Sequence, residues 1–227
     1  MSAVPRFPSE TPQTASVRSP LSVSVDRSQS CCGGSMRPHC TPPGERTLFS
    51  LLCAAMQPLG TTLYVYGGGW NLDDTGAGRE AVTPFPSPAW KTFFLSQDEG
   101  YDYRRFRGSG CNPWHGAGLD CSGYLGWVIY AALHRKSGLE SYVYPSTEMA
   151  GALAARGLGR LVRPPCRFLP GDLFSMEGHI WLCVGVCRDE SLVIAHSSPT
   201  PSRRTGSSSS RAGHRPEWHC RGLQSSW

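Results

Sequence analysis

Residues 120–136 read DCSGYLGWVIYAALHRK and predict one long helix. Asp120 suits the position just before a helix, because a short acidic side chain accepts hydrogen bonds from the first free backbone N–H groups. The residues that follow are apolar almost all round, which is typical of a helix buried in a core. The basic last turn and Gly138 beyond it form a helix stop signal.

The sequence beyond this helix predicts a β-hairpin. Residues 179–187 alternate in polarity, as a strand with one inward face does. One predicted face comprises Ile180, Leu182, Val184 and Val186, and the other His179, Trp181, Cys183, Gly185 and Cys187. Residues 188–190 form a turn, and residues 191–196 form the partner strand. Residues 169–174 (LPGDLF) predict a turn that leads into a further strand.

Three more helices are predicted, at residues 46–57, 87–97 and 145–155, the last ended by Gly157. A short strand is predicted at residues 63–66, where the glycines of residues 67–69 stop it. Helices followed by a run of antiparallel strands indicate an α+β fold, with the long helix packed on the sheet.

Composition divides the chain into one domain, at residues 45–200, and two flanks. Residues 1–44 are rich in Ser, Thr and Pro without a hydrophobic period, so we expect a disordered leader. We expect residues 201–227 to form a disordered tail or an aberrant one that results from a change of reading frame. Within the domain, residues 70–119 form a long insert that either lines a binding groove or packs over the core. Its notable aromatic residues are Trp70, Trp90, Tyr101, Tyr103 and Trp114.

The net charge of +5 lies entirely in the flanks. Residues 1–44 carry a net charge of +2 and residues 201–227 a net charge of +4, while residues 45–200 carry −1. Binding to nucleic acid needs basic residues concentrated on a folded surface, so no nucleic-acid partner is expected. No apolar run approaches the length of a membrane span, and no signal peptide follows Met1.

The ten cysteines do not form a metal or redox motif. No two of them have the C-x-x-C spacing that zinc knuckles and redox sites use, so no metal or other cofactor is expected. Most of the cysteines are therefore expected to be small buried hydrophobes.

Cys121 differs from the other cysteines because it lies in the first turn of the predicted buried helix. The helix dipole and the free N–H groups at that end are expected to lower the pKa of the thiol. His179 begins one strand of the hairpin and His196 ends the other, so a contact between the two rings is expected. His196 would then orient His179, as the third member of a catalytic triad does.

Five sequence blocks in order resemble the NlpC/P60 cysteine peptidases. Residues 118–124 (GLDCSGY) match the D-C-S-G-[FYL] signature of that family. The other four blocks are residues 59–68 (LGTTLYVYGG), 170–174 (PGDLF), 178–185 (GHIWLCVG) and 193–196 (VIAH). Together they cover about residues 59–198, a more specific match than any one block would be.

The resemblance implies a papain-like fold and hydrolysis of amide bonds in bacterial peptidoglycan stem peptides, between D-glutamate and a diamino acid. It implies Cys121 as nucleophile, His179 as general base and acid, and His196 as the orienting group. It further implies substrate contacts from Tyr64 (or Tyr66, given one extra residue), Asp120 and Ser122, although Asp120 also fits a plain helix cap. The resemblance also implies a secreted or wall-associated protein, which the lack of a signal peptide after Met1 leaves open. Separately, we expect a monomer.

The sequence departs from the family pattern at two places. The insert at residues 70–119 is longer than the family's connection, and residues beyond about 200 show no alternating strand to complete the small barrel. Either the final strands are incomplete, or the reading frame changes near residue 200. Two other functions stay open: a thiol-dependent amidase or acyltransferase of the same fold, and a non-catalytic module that binds the cell wall.

Overall fold

The computed structural model describes residues 47–107, 113–133, 142–162 and 168–199, together with two further strands at 15–18 and 216–221. The helices are α1 (Leu48–Met56), α2 (Pro88–Ser96), α3 (Cys121–Leu133) and α4 (Met149–Ala155). The strands are β1 (Ala15–Arg18), β2 (Arg160–Val162), β3 (Leu173–Met176), β4 (His179–Val186), β5 (Leu192–Ser197) and β6 (Pro216–Arg221). This mixed arrangement confirms the α+β class.

The strands form one antiparallel sheet in the order β2-β1-β3-β4-β5-β6. Its centre is the meander β3-β4-β5, which contains the predicted hairpin. A bulge between Cys183 and Gly185 shifts the β4–β5 register. Strands β1 and β6 fall within the segments for which the sequence predicted no regular structure. They pair through backbone groups, which does not require an alternating side-chain pattern. The rest of the predicted leader and tail lies outside the described residues.

Helix α3 is the central element of the main core, as its apolar sequence predicted. Every residue of α3 except Tyr130 is buried. The Tyr124 hydroxyl donates to the carbonyl of Ala55 in α1 at 2.7 Å, and Trp127 meets Trp90 of α2 edge-on, with ring centroids 5.4 Å apart. On the sheet side, Ile180 and Leu182 belong to the same core cluster. The helix is thus fixed on two sides by helices and on a third by the sheet.

The prediction of one strand and the predicted start of one helix were wrong. Residues 63–66 do not form a strand but a single parallel bridge between Tyr64 and Leu119, because the chain turns away at once through Gly67. Helix α4 begins at Met149 rather than near residue 145. The N–H groups of residues 148 and 149 both reach the Pro145 carbonyl at 2.9 Å, which makes a tight turn before the helix. Gly138 lies outside the described residues.

The first turn of α3 packs against the loop at residues 67–69 through backbone atoms. The Asp120 N–H donates to the Gly68 carbonyl at 3.0 Å. A Cβ placed on Gly123 would overlap that same carbonyl oxygen and lie 3.1 Å from the Gly69 Cα. A Cβ on Gly68 would come within 2.6 Å of the Gly118 oxygen. Only glycine permits this approach, which fixes the loop beside the start of α3.

Replacing Gly123 with alanine is expected to lower the free energy of unfolding by about 3 kcal/mol, because the new methyl group meets backbone that a rotamer change cannot move. Gly151 in α4 is the matched control, since a Cβ there meets nothing within 4 Å. Gly151→Ala should raise the free energy of unfolding by up to about 1 kcal/mol. Urea denaturation followed by circular dichroism measures both, and equal midpoints for the two variants would contradict the close approach.

Candidate active site

Cys121 is the first residue of α3, and its side chain is only 8% exposed. Burial, and to a lesser degree the neighbouring Asp120 carboxylate, raise the pKa of the thiol to about 12. Backbone groups of Ile180, Ser122 and Cys121 itself oppose this rise by hydrogen bonding to the sulfur. The expectation of a lowered pKa was therefore wrong: desolvation and an adjacent negative charge outweigh the helix terminus. At neutral pH the thiol is protonated.

The two histidines form a hydrogen-bonded pair. His179 Nε2 and His196 Nδ1 are 2.8 Å apart, and the rings meet edge-on with centroids 5.0 Å apart. One nitrogen donates and the other accepts, according to the tautomers present. The expected contact between the histidines is thus confirmed. Since His196 is buried, its ring is held by its surroundings and can hold the orientation of His179 in turn.

The start of α3 lies at the open end of the β4–β5 hairpin. The ladder between these strands ends at Leu182 and Ala195, two to three residues before the strands themselves end. There the backbone of Ile180 hydrogen-bonds to the Cys121 sulfur, and the Ser197 hydroxyl donates to the Leu119 carbonyl at 2.8 Å. The segment before Cys121 therefore contacts both strands beside the histidine pair.

The Ile180 backbone, one residue along β4 from His179, hydrogen-bonds to the Cys121 sulfur and links the thiol to the histidine pair. Thiol–imidazole contacts of enzymes are often long without substrate and shorten when it binds. The structure thus brings His179 and His196 together directly. It brings Cys121 to the residue that follows His179.

Asp120 and Ser122 belong to a buried polar network around the first turn of α3. The Asp120 Oδ1 accepts from the Gly123 N–H at 2.6 Å and from the Ser122 hydroxyl at 2.9 Å. The Ser122 oxygen accepts in turn from Trp70 Nε1 at 3.1 Å. The helix cap predicted for Asp120 is confirmed. The expected substrate contacts of Asp120 and Ser122 stay predictions, and these bonds already use the hydroxyl proton of Ser122.

Burial raises the pKa of Asp120 from 3.8 to about 6, although four hydrogen bonds oppose the rise. An acid whose pKa is higher in the folded state stabilises the protein below its unfolded pKa, and that stability is lost as the pH rises through the folded value. Asp120→Asn removes this titration. The variant should therefore gain about 2 kcal/mol relative to wild type between pH 4 and pH 7, measured by urea denaturation at both values. Parallel profiles for the two proteins would contradict the raised pKa.

The structure distinguishes the two candidate tyrosines. Tyr64 is 7% exposed, and burial, followed by the charges of Asp120 and Cys121, raises the pKa of its phenol. Tyr66 is 44% exposed and lies under the guanidinium of Arg107. Of the two tyrosines, which the family motif left as alternatives, Tyr64 is thus the one that interacts with Cys121. Tyr66 lies at the surface.

The insert packs against the site through aromatic rings. Tyr103 meets Tyr64 edge-on, with centroids 5.3 Å apart, and the Tyr101 hydroxyl donates to the Tyr64 carbonyl at 2.8 Å. Behind them lies an aromatic cluster of Phe93, Tyr101, Phe106 and Trp114. Trp90 packs in the main core and Tyr103 packs against Tyr64, as the interpretation of packing over the core predicted, whereas the binding-groove interpretation stays a prediction. Sequence analysis missed Phe93 and Phe106, whose contacts only the folded chain shows.

The described part of the chain holds no group of three or more His, Cys, Asp or Glu residues placed to bind a metal ion. Within that same part, no helix combines the length and the apolar character needed to cross a membrane. Comparison with known proteins returned no matching family model, curated protein or solved structure.

Proposed function

We propose that this protein is a cysteine peptidase that hydrolyses amide bonds in peptidoglycan stem peptides, using a papain-like arrangement of residues. One observation carries the proposal: the hydrogen-bonded pair of His179 and His196 and the thiol of Cys121 meet at the same open end of the β4–β5 hairpin. A buried thiol beside two coupled imidazoles supplies a nucleophile, a base and an orienting group.

Attack begins from the protonated thiol, because the pKa of Cys121 is raised. The thiol proton passes to His179 as the sulfur bonds to the substrate carbonyl carbon, and the carbonyl oxygen becomes an oxyanion. The backbone N–H of Cys121, in the first turn of α3, is suited to stabilise that charge. His179 then gives its proton to the departing amine as the C–N bond breaks, which leaves a thioester on Cys121.

Water completes the reaction. His179 removes a proton from the water molecule as its oxygen attacks the thioester carbon. Collapse of the second oxyanion breaks the C–S bond, and the proton returns to the sulfur, so the products are a carboxylic acid and the original thiol. His196 acts on His179 alone. Its hydrogen bond to Nε2 holds the His179 ring in one orientation during the proton transfers.

The substrate class follows from the resemblance of five sequence blocks, and the surroundings of the thiol support it. In the proposal, Tyr64, Asp120 and Ser122 lie beside the scissile bond. Tyr64 is the best supported of the three, because its phenol interacts with both Asp120 and Cys121. Support from Tyr103 keeps the Tyr64 ring in place during binding.

Digestion of purified peptidoglycan with the full chain, followed by mass spectrometry, tests the proposal. Cleavage between glutamate and the diamino acid is expected, with one water added across the bond. Cleavage at the sugar–peptide junction would instead indicate an amidase, and transfer to an added amine would indicate an acyltransferase. Sedimentation of the protein with peptidoglycan without any fragments would indicate a binding module and overturn the proposal.

A further inference from the structure

The guanidinium of Arg107 lies over the ring of Tyr66 at the protein surface. Its Cζ lies 4.2 Å from the centroid of the Tyr66 ring. Both side chains are exposed. A guanidinium that lies on an aromatic face keeps its N–H groups directed outward in the plane of the fork, where they match a carboxylate in two-point geometry. Stacking also limits the rotamers of the side chain, so less freedom is lost when a ligand binds.

The charge of Arg107 is not neutralised by a neighbour in the part of the chain that the structure describes, where it forms no ion pair. Arg104, in the same stretch, differs. It binds the Asp102 carboxylate through two nitrogens at distances between 2.7 and 3.0 Å. The two arginines can therefore be compared directly. Arg104 already binds a carboxylate of the same chain, whereas Arg107 can bind a carboxylate of a ligand.

The position of Arg107 is tied to the reaction centre through two tyrosines. Arg107 follows directly after the short 3-10 turn Tyr103–Phe106. The first residue of this turn meets Tyr64, and Phe106 is held by Phe93 at 5.1 Å between ring centroids. The phenols of Tyr64 and Tyr66 are also close enough to interact electrostatically. One anchored turn thus holds Tyr103 against Tyr64 and Arg107 against Tyr66.

From this geometry we infer that Arg107, stacked on Tyr66, binds a free carboxylate of the substrate beside the scissile amide. The inference rests on the proposed function and specifies its substrate. A glutamyl residue joined through one carboxyl group keeps its second carboxylate free next to the bond. That group has the planar two-oxygen shape that the guanidinium fork accepts. Arg107 is thus a specificity-determining residue that favours acidic stem peptides over amidated ones.

Kinetics with two synthetic stem peptides test the inference, one with the free glutamyl carboxylate and one with that group converted to a carboxamide. Wild type should show a KM about tenfold lower for the carboxylate form, with similar kcat. Arg107→Gln should raise KM for the carboxylate form by about tenfold and leave the carboxamide form unchanged. Arg104→Gln, the matched control, should preserve the discrimination. Equal KM values for both peptides in wild type would overturn the inference.

Binding to a Cys121→Ala variant separates this inference from the proposed function. Calorimetry with the same peptides should show about tenfold tighter binding of the carboxylate form, lost when Arg107→Gln is added. If wild type hydrolyses the peptides but binding shows no preference, Arg107 is not the carboxylate site, although the peptidase proposal stands. If binding shows the preference but no hydrolysis occurs, the peptidase proposal fails while the site stands. Absence of binding overturns the inference.

Discussion

Replacing Cys121 with alanine is expected to abolish the release of peptide fragments from peptidoglycan, with a loss of about 10⁴-fold or more in kcat. The reaction proposed above passes through a thioester on this sulfur, and no other group in the described structure is placed to replace it. Burial of Cys121 in the first turn of α3 means that alanine fits the same space, so the fold should persist. Mass spectrometry of the digest measures fragment release directly.

Cys53 provides the matched control for this substitution. It lies in α1 and is partly buried. Cys53→Ala should keep fragment release within about twofold of wild type, because alanine is a strong helix former and the site is untouched. Unchanged release by Cys121→Ala, with Cys53→Ala equally active, would remove Cys121 from the mechanism even if the protein proves to be a hydrolase.

Replacing His179 with glutamine is expected to lower kcat by about 10³-fold, a typical loss for a general base. The effect should be large here because the Cys121 thiol is protonated at neutral pH and cannot attack until a base removes its proton. The rates of the variant and of wild type should therefore depend on pH in different ways. In the variant the residual rate should rise with pH as hydroxide forms the thiolate, whereas wild type should reach a plateau once His179 is neutral.

Two substitutions of His196 test whether its hydrogen bond orients His179. Its Nδ1 lies 2.8 Å from His179 Nε2, so His196→Ala removes the orienting contact and should cost about 100-fold in kcat. Asparagine offers an oxygen that can accept from the same nitrogen, so His196→Asn should recover about tenfold of that loss. Identical rates for the alanine and asparagine variants would show that the hydrogen bond between the rings does not orient the base.

Local patterns were enough to predict the elements that hold the site. Helix α3 was predictable because Asp120 and the apolar run act within one helix, and the β4–β5 hairpin because alternation and a turn act within one stretch. The thiol pKa was not predictable, since it depends on burial by elements distant in sequence. The same holds for the hydrogen bond between Trp70 and Ser122, which are 52 positions apart. The sequence also left Tyr64 and Tyr66 as alternatives, because their difference in burial arises from the insert that folds over one of them.

The bulge in the hairpin determines which histidines can meet. Near the turn, Gly185 pairs with Val193, and regular pairing from there would set His196 opposite Leu182. The bulge adds one unpaired residue to β4, so Leu182 pairs with Ala195. His196 then lies opposite Trp181, on the same side of β4 as His179. The bulge therefore shifts the pairing of β4 with β5 by one residue. A ladder that kept the register of the Gly185–Val193 pair along its whole length would instead place the two imidazoles on opposite sides of the sheet.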